Sequence, residues 1–176
     1  MTARQGFYAS PKHLIDMYDA ADFPFTEVHL FEPDATGMAV PQAYARRYNV
    51  SVHRYFVHVG TRNPRNDLIS WLQEHVHSRD DWVTLKFDVD ESKKGSTIEW
   101  GFLADLFASP AMPLVDELFI ELHFTFASKP GRTKRKAHSS IFNFTLGWNH
   151  PDHSSWQAFD LLREMRRCGV AVHAWP

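Results

Sequence analysis

The feature of this sequence that most constrains its fold is an alternation of short apolar runs with segments of helical periodicity. Five runs are rich in β-branched and aromatic residues and end at turn-forming residues, a pattern typical of strands. They cover 26–33, 51–60, 82–89, 116–124 and 169–176. Strands that alternate with helices predict an α/β fold, with a mostly parallel sheet covered by helices on both faces.

Four segments have the apolar spacing of helices: 10–21, 66–77, 96–109 and 154–169. Ser10 is a suitable N-cap for the first, with Pro11 at its first helical position, and Asn66 is a plausible cap for the second. The last helix is expected to carry basic residues near its negative end and a glycine C-cap at Gly169. Its apolar positions are Trp156, Phe159, Leu161, Leu162 and Met165.

Length and charge limit the classes of protein that fit. A chain of 176 residues predicts one domain, 1–176, and a net charge of −2 points to neither nucleic acid nor an anionic membrane. The basic block 127–140 contains no aromatic residue apart from the histidine ring, so we expect an inserted, solvated loop. The single cysteine, Cys168, excludes an internal disulfide and a cysteine-based zinc cage.

No apolar window approaches the roughly 20 residues that a membrane span needs. The first residues, "MTARQGFYASPKHL", contain no apolar stretch of the kind found in secretory leaders. We therefore expect a soluble protein that is not exported and is cytoplasmic by default. Its expected partner is a small-molecule substrate.

In parallel α/β sheets, ligands bind where the carboxyl ends of the strands meet loops and helix N-termini. The first such end presents Glu32, whose carboxylate suits a ribose diol or simply caps a turn. The second presents His58 and Gly60, where a glycine permits close backbone approach and the histidine faces either core or cleft.

The third strand ends in "LKFDVD", where Lys86, Asp88 and Asp90 alternate with apolar residues and so share one face. Three charges cannot be buried unpaired without a cost of several kcal/mol, so this face meets water, a metal or a ligand. The simpler alternative is an ion pair between Lys86 and Asp88. The fourth strand adds Glu121 and His123 by the same alternation.

Four segments together resemble S-adenosylmethionine-dependent methyltransferases of the FkbM type. They are "FTEVHLFEPD", "VHVGTRNPRNDLISWLQEHV", "DDWVTLKFDVD" and "LVDELFIELHF", in that order. The most specific part is "LKFDVD" followed about thirty residues later by "VDELFIELHF". The resemblance covers most of 26–125, extends more loosely over 141–176, and implies a Rossmann-like, three-layer methyltransferase fold.

Site residues follow from that resemblance. It implies that Glu32 holds the cofactor ribose, that the segment from His58 to Gly60 lies beside the adenine, and that Lys86 belongs to the cofactor pocket. It also implies that Asp88 and Asp90 lie near the methyl-transfer centre. The implied cofactor is S-adenosylmethionine, with Mg²⁺ as a possible accessory at Asp88.

Methyl transfer to an oxygen needs the two reactants in line and a base for the hydroxyl proton. Asp88 and His123 are the two candidates for that base. The implied reaction is O-methylation of a small hydroxylated or sugar-like acceptor.

The chain departs from the family pattern at its start, where Gly6 stands alone instead of a glycine-rich turn. We therefore expect the first strand of the family fold to be missing, as in an incomplete chain. The alternative is a non-catalytic Rossmann-like binding or interaction domain descended from methyltransferases. A second metal hypothesis is a zinc site at "NHPDH", 149–153, although a solvent-exposed turn explains that motif equally simply.

Overall fold

The structure is a computed structural model that describes residues 11–32, 39–57, 59, 67–78, 80–89, 98–120, 122 and 155–174. The chain divides into two compact units, Met1–Val59 and Gly60–Pro176. Unit 1 contains α1 (Pro11–Ala20), β1 (Glu27–Phe31), α2 (Gln42–Tyr48) and β2 (Ser51–Tyr55). Unit 2 contains α3 (Leu68–His75), β3 (Thr84–Phe87), α4 (Ile98–Ala108), a 3-10 helix (Met112–Leu114), β4 (Glu117–Ile120), α5 (Ser155–Arg167) and β5 (Ala171–Ala174).

Unit 1 is built on a parallel pair of strands. β1 and β2 pair in the register Glu27↔Ser51 to Phe31↔Tyr55, and α2 lies in the connection between them. A parallel pair needs such a crossover, because the chain must return to the starting edge of the sheet. α2 is absent from the sequence prediction. Its seven residues form about two turns and bury only Tyr44, which is too few apolar positions to show a helical period.

Unit 2 contains a three-stranded, all-parallel sheet in the order β3-β4-β5. The central strand β4 is the most buried, with Leu118 at 0% and Ile120 at 1% exposure. Apolar side chains at successive positions are expected of a parallel strand that is covered on both faces. The five predicted strands are all present, and each described strand lies within its predicted run.

The core of unit 2 lies between this sheet and the helices. On α4, Phe102, Leu103 and Leu106 are at most 1% exposed, and the Phe102 ring stacks on Phe87 of β3 with centroids 4.0 Å apart. The carboxylate residue Glu99 is also fully buried on this helix. α4 therefore attaches to β3 through an aromatic stack within an apolar layer.

α5 buries only part of the apolar set that its sequence shows. Ala158, Leu162 and Met165 are buried, whereas Trp156 and Phe159 are 70% and 60% exposed. At 100° per residue, Ala158, Leu162 and Met165 lie within about 60° of one another, while Trp156 lies about 160° from Ala158. Of the apolar positions in the sequence pattern, Leu162 and Met165 are therefore buried, and the two aromatic residues lie outside the buried face.

Helix ends show one correction and one confirmation. The N-cap of α3 is Asp67, not Asn66: its side chain accepts hydrogen bonds from Ile69 N (3.0 Å) and from Ser70 Oγ (2.7 Å). A carboxylate one residue nearer the helix reaches these donors directly. Gly169 follows α5 with φ +99°, a conformation that favours glycine, as predicted for the C-cap.

The structure thus shows a mixed α/β protein whose described strands form two small, all-parallel sheets. This arrangement is compatible with a Rossmann-like fold. In the part of the chain that the structure describes, no helix has both the length and the apolar character needed to cross a bilayer. The predicted Ser10 cap and the predicted basic loop, 127–140, lie outside the described residues.

Candidate functional site

The carboxyl end of β3 holds a shielded ion pair. Lys86 Nζ donates to Asp88 Oδ2 at 2.5 Å, and the two side chains are only 15% and 11% exposed. Between them Phe87 points into the core at 3% exposure, as strand alternation requires. The ion pair that the sequence offered as the simpler alternative is therefore present, and Lys86 already compensates the charge of Asp88.

The same face of the sheet carries further polar chemistry. In the register of the three strands, Lys86 lies opposite Phe119, which lies opposite His173. His173 stacks on Phe119 with ring centroids 4.6 Å apart, and its Nε2 lies 2.7 Å from Glu117 Oε1. Glu117 is 16% exposed and His173 45% exposed, so this pair is partly open to water.

Neither Glu117 nor His173 was predicted as a site residue. The only local signal was that each is a polar residue beside apolar strand residues, Glu117 before "LFI" and His173 within "AVHA". What the sequence lacked was the pairing of β4 with β5, which brings together residues more than fifty positions apart.

Asp116 has a structural role at the amino end of β4. Its Oδ2 accepts a hydrogen bond from Val83 N at 2.8 Å, and its carbonyl accepts one from Ala171 N at the same distance. These bonds link the amino ends of β3, β4 and β5. Asp116 therefore aligns the three strands and lies away from their carboxyl ends.

Glu32 is the first residue after β1, in unit 1. Its backbone N donates to Tyr55 O at 3.1 Å, which extends the ladder between β1 and β2 by one bond. Its side chain is half-buried. The strand ladder thus fixes the main chain of Glu32 at the carboxyl end of a parallel strand, and its role as a ribose ligand stays a prediction.

Several predicted site residues lie outside the described part of the chain: His58, Gly60, Asp90, Glu121 and His123. The segment 149–153, with the alternative zinc motif, lies outside it as well. Their assignments stay predictions. Lys86, Asp88 and Glu32 are therefore the predicted site residues whose surroundings the structure defines.

Potential metal ligands meet at a place that sequence reasoning missed. Within the described ranges, the group of three or more such residues is Glu27, His29 and His53, and Asp88 is not part of it. The eleven histidines looked scattered along the sequence, which favoured separate surface and core roles. Parallel pairing of β1 with β2 brings two of them side by side.

Comparison of the chain with protein-family models, with curated proteins and with solved structures found no match in any of the three.

Proposed function

We propose that this chain is an S-adenosylmethionine-dependent methyltransferase-type protein that methylates an oxygen of a small hydroxylated or sugar-like acceptor. The observation that carries the proposal is the shielded Lys86–Asp88 pair at the carboxyl end of β3, a strand of a parallel sheet. That edge of a parallel sheet is where α/β proteins bind their ligands. The resemblance of "LKFDVD" and "VDELFIELHF" to the methyltransferase segments supports the same function.

Glu32 fits the role of ribose ligand by its chemistry and its position. A carboxylate is an acceptor-only group with two oxygens, so it accepts both hydroxyls of a ribose diol at once. Its main chain is held by the hydrogen bond to Tyr55 O, and its side chain is half-buried, where such bonds are stronger than in water. When bound, S-adenosylmethionine supplies an electrophilic methyl group.

Asp88 is suited to orienting the acceptor. One of its oxygens takes the bond from Lys86 Nζ, and a carboxylate retains further lone pairs for a substrate hydroxyl. Lys86 holds the carboxylate in one orientation, which reduces the entropy lost when the acceptor is positioned. In this proposal His123 and Asp88 remain the candidates for the group that takes the hydroxyl proton.

The pairing of Asp88 also favours a second candidate function, cofactor binding without methyl transfer. Because Lys86 already compensates the charge of Asp88, this carboxylate is suited to holding a ligand at least as well as to removing a proton. The chain would then be a binding or interaction domain derived from methyltransferases. The two candidates share the cofactor and differ only in the reaction.

Calorimetric titration with S-adenosylmethionine and with its demethylated product tests both candidates. We expect saturable binding, weakened at least about tenfold by Glu32→Gln, because hydrogen bonds to a charged group contribute about 1.5–3 kcal/mol. Glu74→Gln, an exposed carboxylate on α3, is the matched control and should bind as the parent chain does.

Transfer of a labelled methyl group to a panel of sugars and small hydroxylated molecules then separates the enzyme from the binding domain. Transfer that Asp88→Asn abolishes, with cofactor affinity retained, supports the methyltransferase. Binding without transfer supports the second candidate. Absence of binding to both forms of the cofactor contradicts both.

A further inference from the structure

A cluster of two histidines and one glutamate lies on one face of the β1–β2 pair, within unit 1. His29 and His53 are direct partners in the parallel register, and Glu27 precedes His29 by two positions on the same strand. Because side chains alternate along a strand, Glu27 and His29 project on one side, and the partner strand places His53 beside them. The backbone pairing itself therefore creates the cluster.

The distances within this cluster are close to those of a metal site. His29 Nε2 lies 3.1 Å from Glu27 Oε2, and one ligand atom from each of the three residues lies within 4.8 Å of the others. Some point is then no farther than about 2.8 Å from all three atoms, which is 4.8 Å divided by √3. Zinc takes nitrogen and oxygen ligands at about 2.0–2.2 Å, so an atom at that limit needs to move inward by about 0.7 Å and a nearer atom by less.

Side-chain rotation supplies that movement. The rings of His29 and His53 are stacked, with centroids 4.6 Å apart and planes inclined by 7°. The side chain of Glu27 is 60% exposed and that of His53 is also exposed, so both rotate without disturbing the core. Exposed rotamers interconvert within nanoseconds, and the strand pairing stays unchanged.

A neighbouring hydroxyl orients the least exposed ligand. His29 is 22% exposed, and its Nδ1 lies 3.3 Å from Tyr55 Oη. When Nδ1–H donates to this oxygen, Nε2 carries the lone pair and faces Glu27. Metal-binding histidines characteristically use their second nitrogen for such an orienting bond.

Tyr55 is itself held by a ring stack on Phe31, with centroids 4.6 Å apart. Two parallel stacks, His29 on His53 and Phe31 on Tyr55, thus follow each other along the paired strands. Packing of the second stack restrains the hydroxyl that orients His29.

We infer that Glu27, His29 and His53 form a binding site for a divalent transition metal ion, for which Zn²⁺ is the fitting probe. Imidazole and carboxylate ligands suit zinc, whereas Mg²⁺ prefers an all-oxygen octahedron. Three protein ligands leave a fourth tetrahedral position to water, and the exposure of the cluster makes that position accessible. The ion would link β1 to β2 through their side chains.

Calorimetric titration of the tag-free chain with zinc chloride tests the site. We expect one zinc ion per chain, and at least about tenfold weaker binding in Glu27→Gln and in His53→Gln, since even orienting residues of metal sites contribute 10- to 100-fold. Both replacements are at exposed positions, so folding is retained, and circular dichroism checks it. Tyr55→Phe should weaken binding about tenfold by freeing the His29 ring.

Control variants separate this site from the other histidines. His75→Gln changes an exposed histidine on α3, and His150→Gln/His153→Gln removes the alternative motif; both should bind zinc as the parent chain does. Cobalt substitution gives a second readout, because four-coordinate Co²⁺ has visible absorption that the Glu27 and His53 variants should lose.

Unchanged affinity in both cluster variants would overturn the inference. So would binding that disappears with His150 and His153 instead, or binding of Mg²⁺ as tight as that of Zn²⁺.

Discussion

Replacing Lys86 by methionine should destabilise the protein, because it removes the cation that pairs with the Asp88 carboxylate. The Asp88 side chain is only 11% exposed, so water cannot take the place of that cation. At the observed 2.5 Å, Coulomb attraction at an effective dielectric constant of 20 is about 332/(20 × 2.5), or about 7 kcal/mol. Desolvation of two ions offsets most of that, at several kcal/mol per ion. Removal of one partner leaves the desolvation cost of the other, so we expect a loss of about 3 kcal/mol.

Urea unfolding followed by far-ultraviolet circular dichroism measures this loss as a lower midpoint with an unchanged m-value. In thermal unfolding the same loss corresponds to a Tm lower by about 6–12 °C for a chain of this size. The double variant Lys86→Met/Asp88→Asn should recover at least about 1.5 kcal/mol relative to the sum of the single losses, because its two sites are in contact.

Lys12→Met is the matched control. Lys12 pairs with Asp16 one helical turn away on α1, and their side chains are 55% and 51% exposed. Water solvates both ions there, so the expected loss is at most about 0.5 kcal/mol. Equal, small losses in the two lysine variants would refute the argument that Asp88 is shielded from solvent.

Two further predictions concern local conformation and pH. Gly169→Ala should lower the free energy of unfolding by about 1–2 kcal/mol, because φ is +99° at this residue. An added Cβ meets no atom within 4 Å, so the loss comes from backbone strain alone. An unchanged midpoint in urea unfolding contradicts this prediction. Tyr48 Oη donates to Asp19 Oδ1 at 2.5 Å. This hydrogen bond is the largest cause, and burial a smaller one, that raises the pKa of Tyr48 above its ordinary value of 10.0. The folded state thus holds this proton more firmly than the unfolded state, so the stabilisation is complete below pH 10 and is lost as pH rises through the raised pKa. Tyr48→Phe should therefore flatten the fall of the urea midpoint between pH 9 and pH 12, and an equal fall in both proteins contradicts it.

Local patterns predicted most of the secondary structure. Five strands and four helices follow from period-2 and period-3.6 spacing, because each pattern spans enough residues to be recognised. α2 was not predicted, because it is about two turns long and contributes one buried residue, Tyr44. The cap of α3 moved from Asn66 to Asp67 because both residue types cap well and only the backbone geometry selects between them.

The candidate site was predictable where its residues are close in sequence. Lys86 and Asp88 are two positions apart on one strand, so alternation alone puts their side chains on the same face. The pairs His173–Glu117 and His29–His53 were not predictable in the same way. Each joins two strands, and no local pattern states which strands are neighbours or in which register they pair.

By itself, then, the sequence determined the α/β class, the approximate places of the strands, and the charged end of β3, all of which depend on the spacing of neighbouring residues. Only the tertiary structure decided that the described strands form two parallel sheets, that α5 packs through Ala158 and leaves Trp156 in solvent, and that His29 meets His53 beside Glu27. The physical reason is that alternation specifies the face of a strand on which a side chain lies. Strand pairing and helix packing, which depend on the whole chain, specify what that side chain meets.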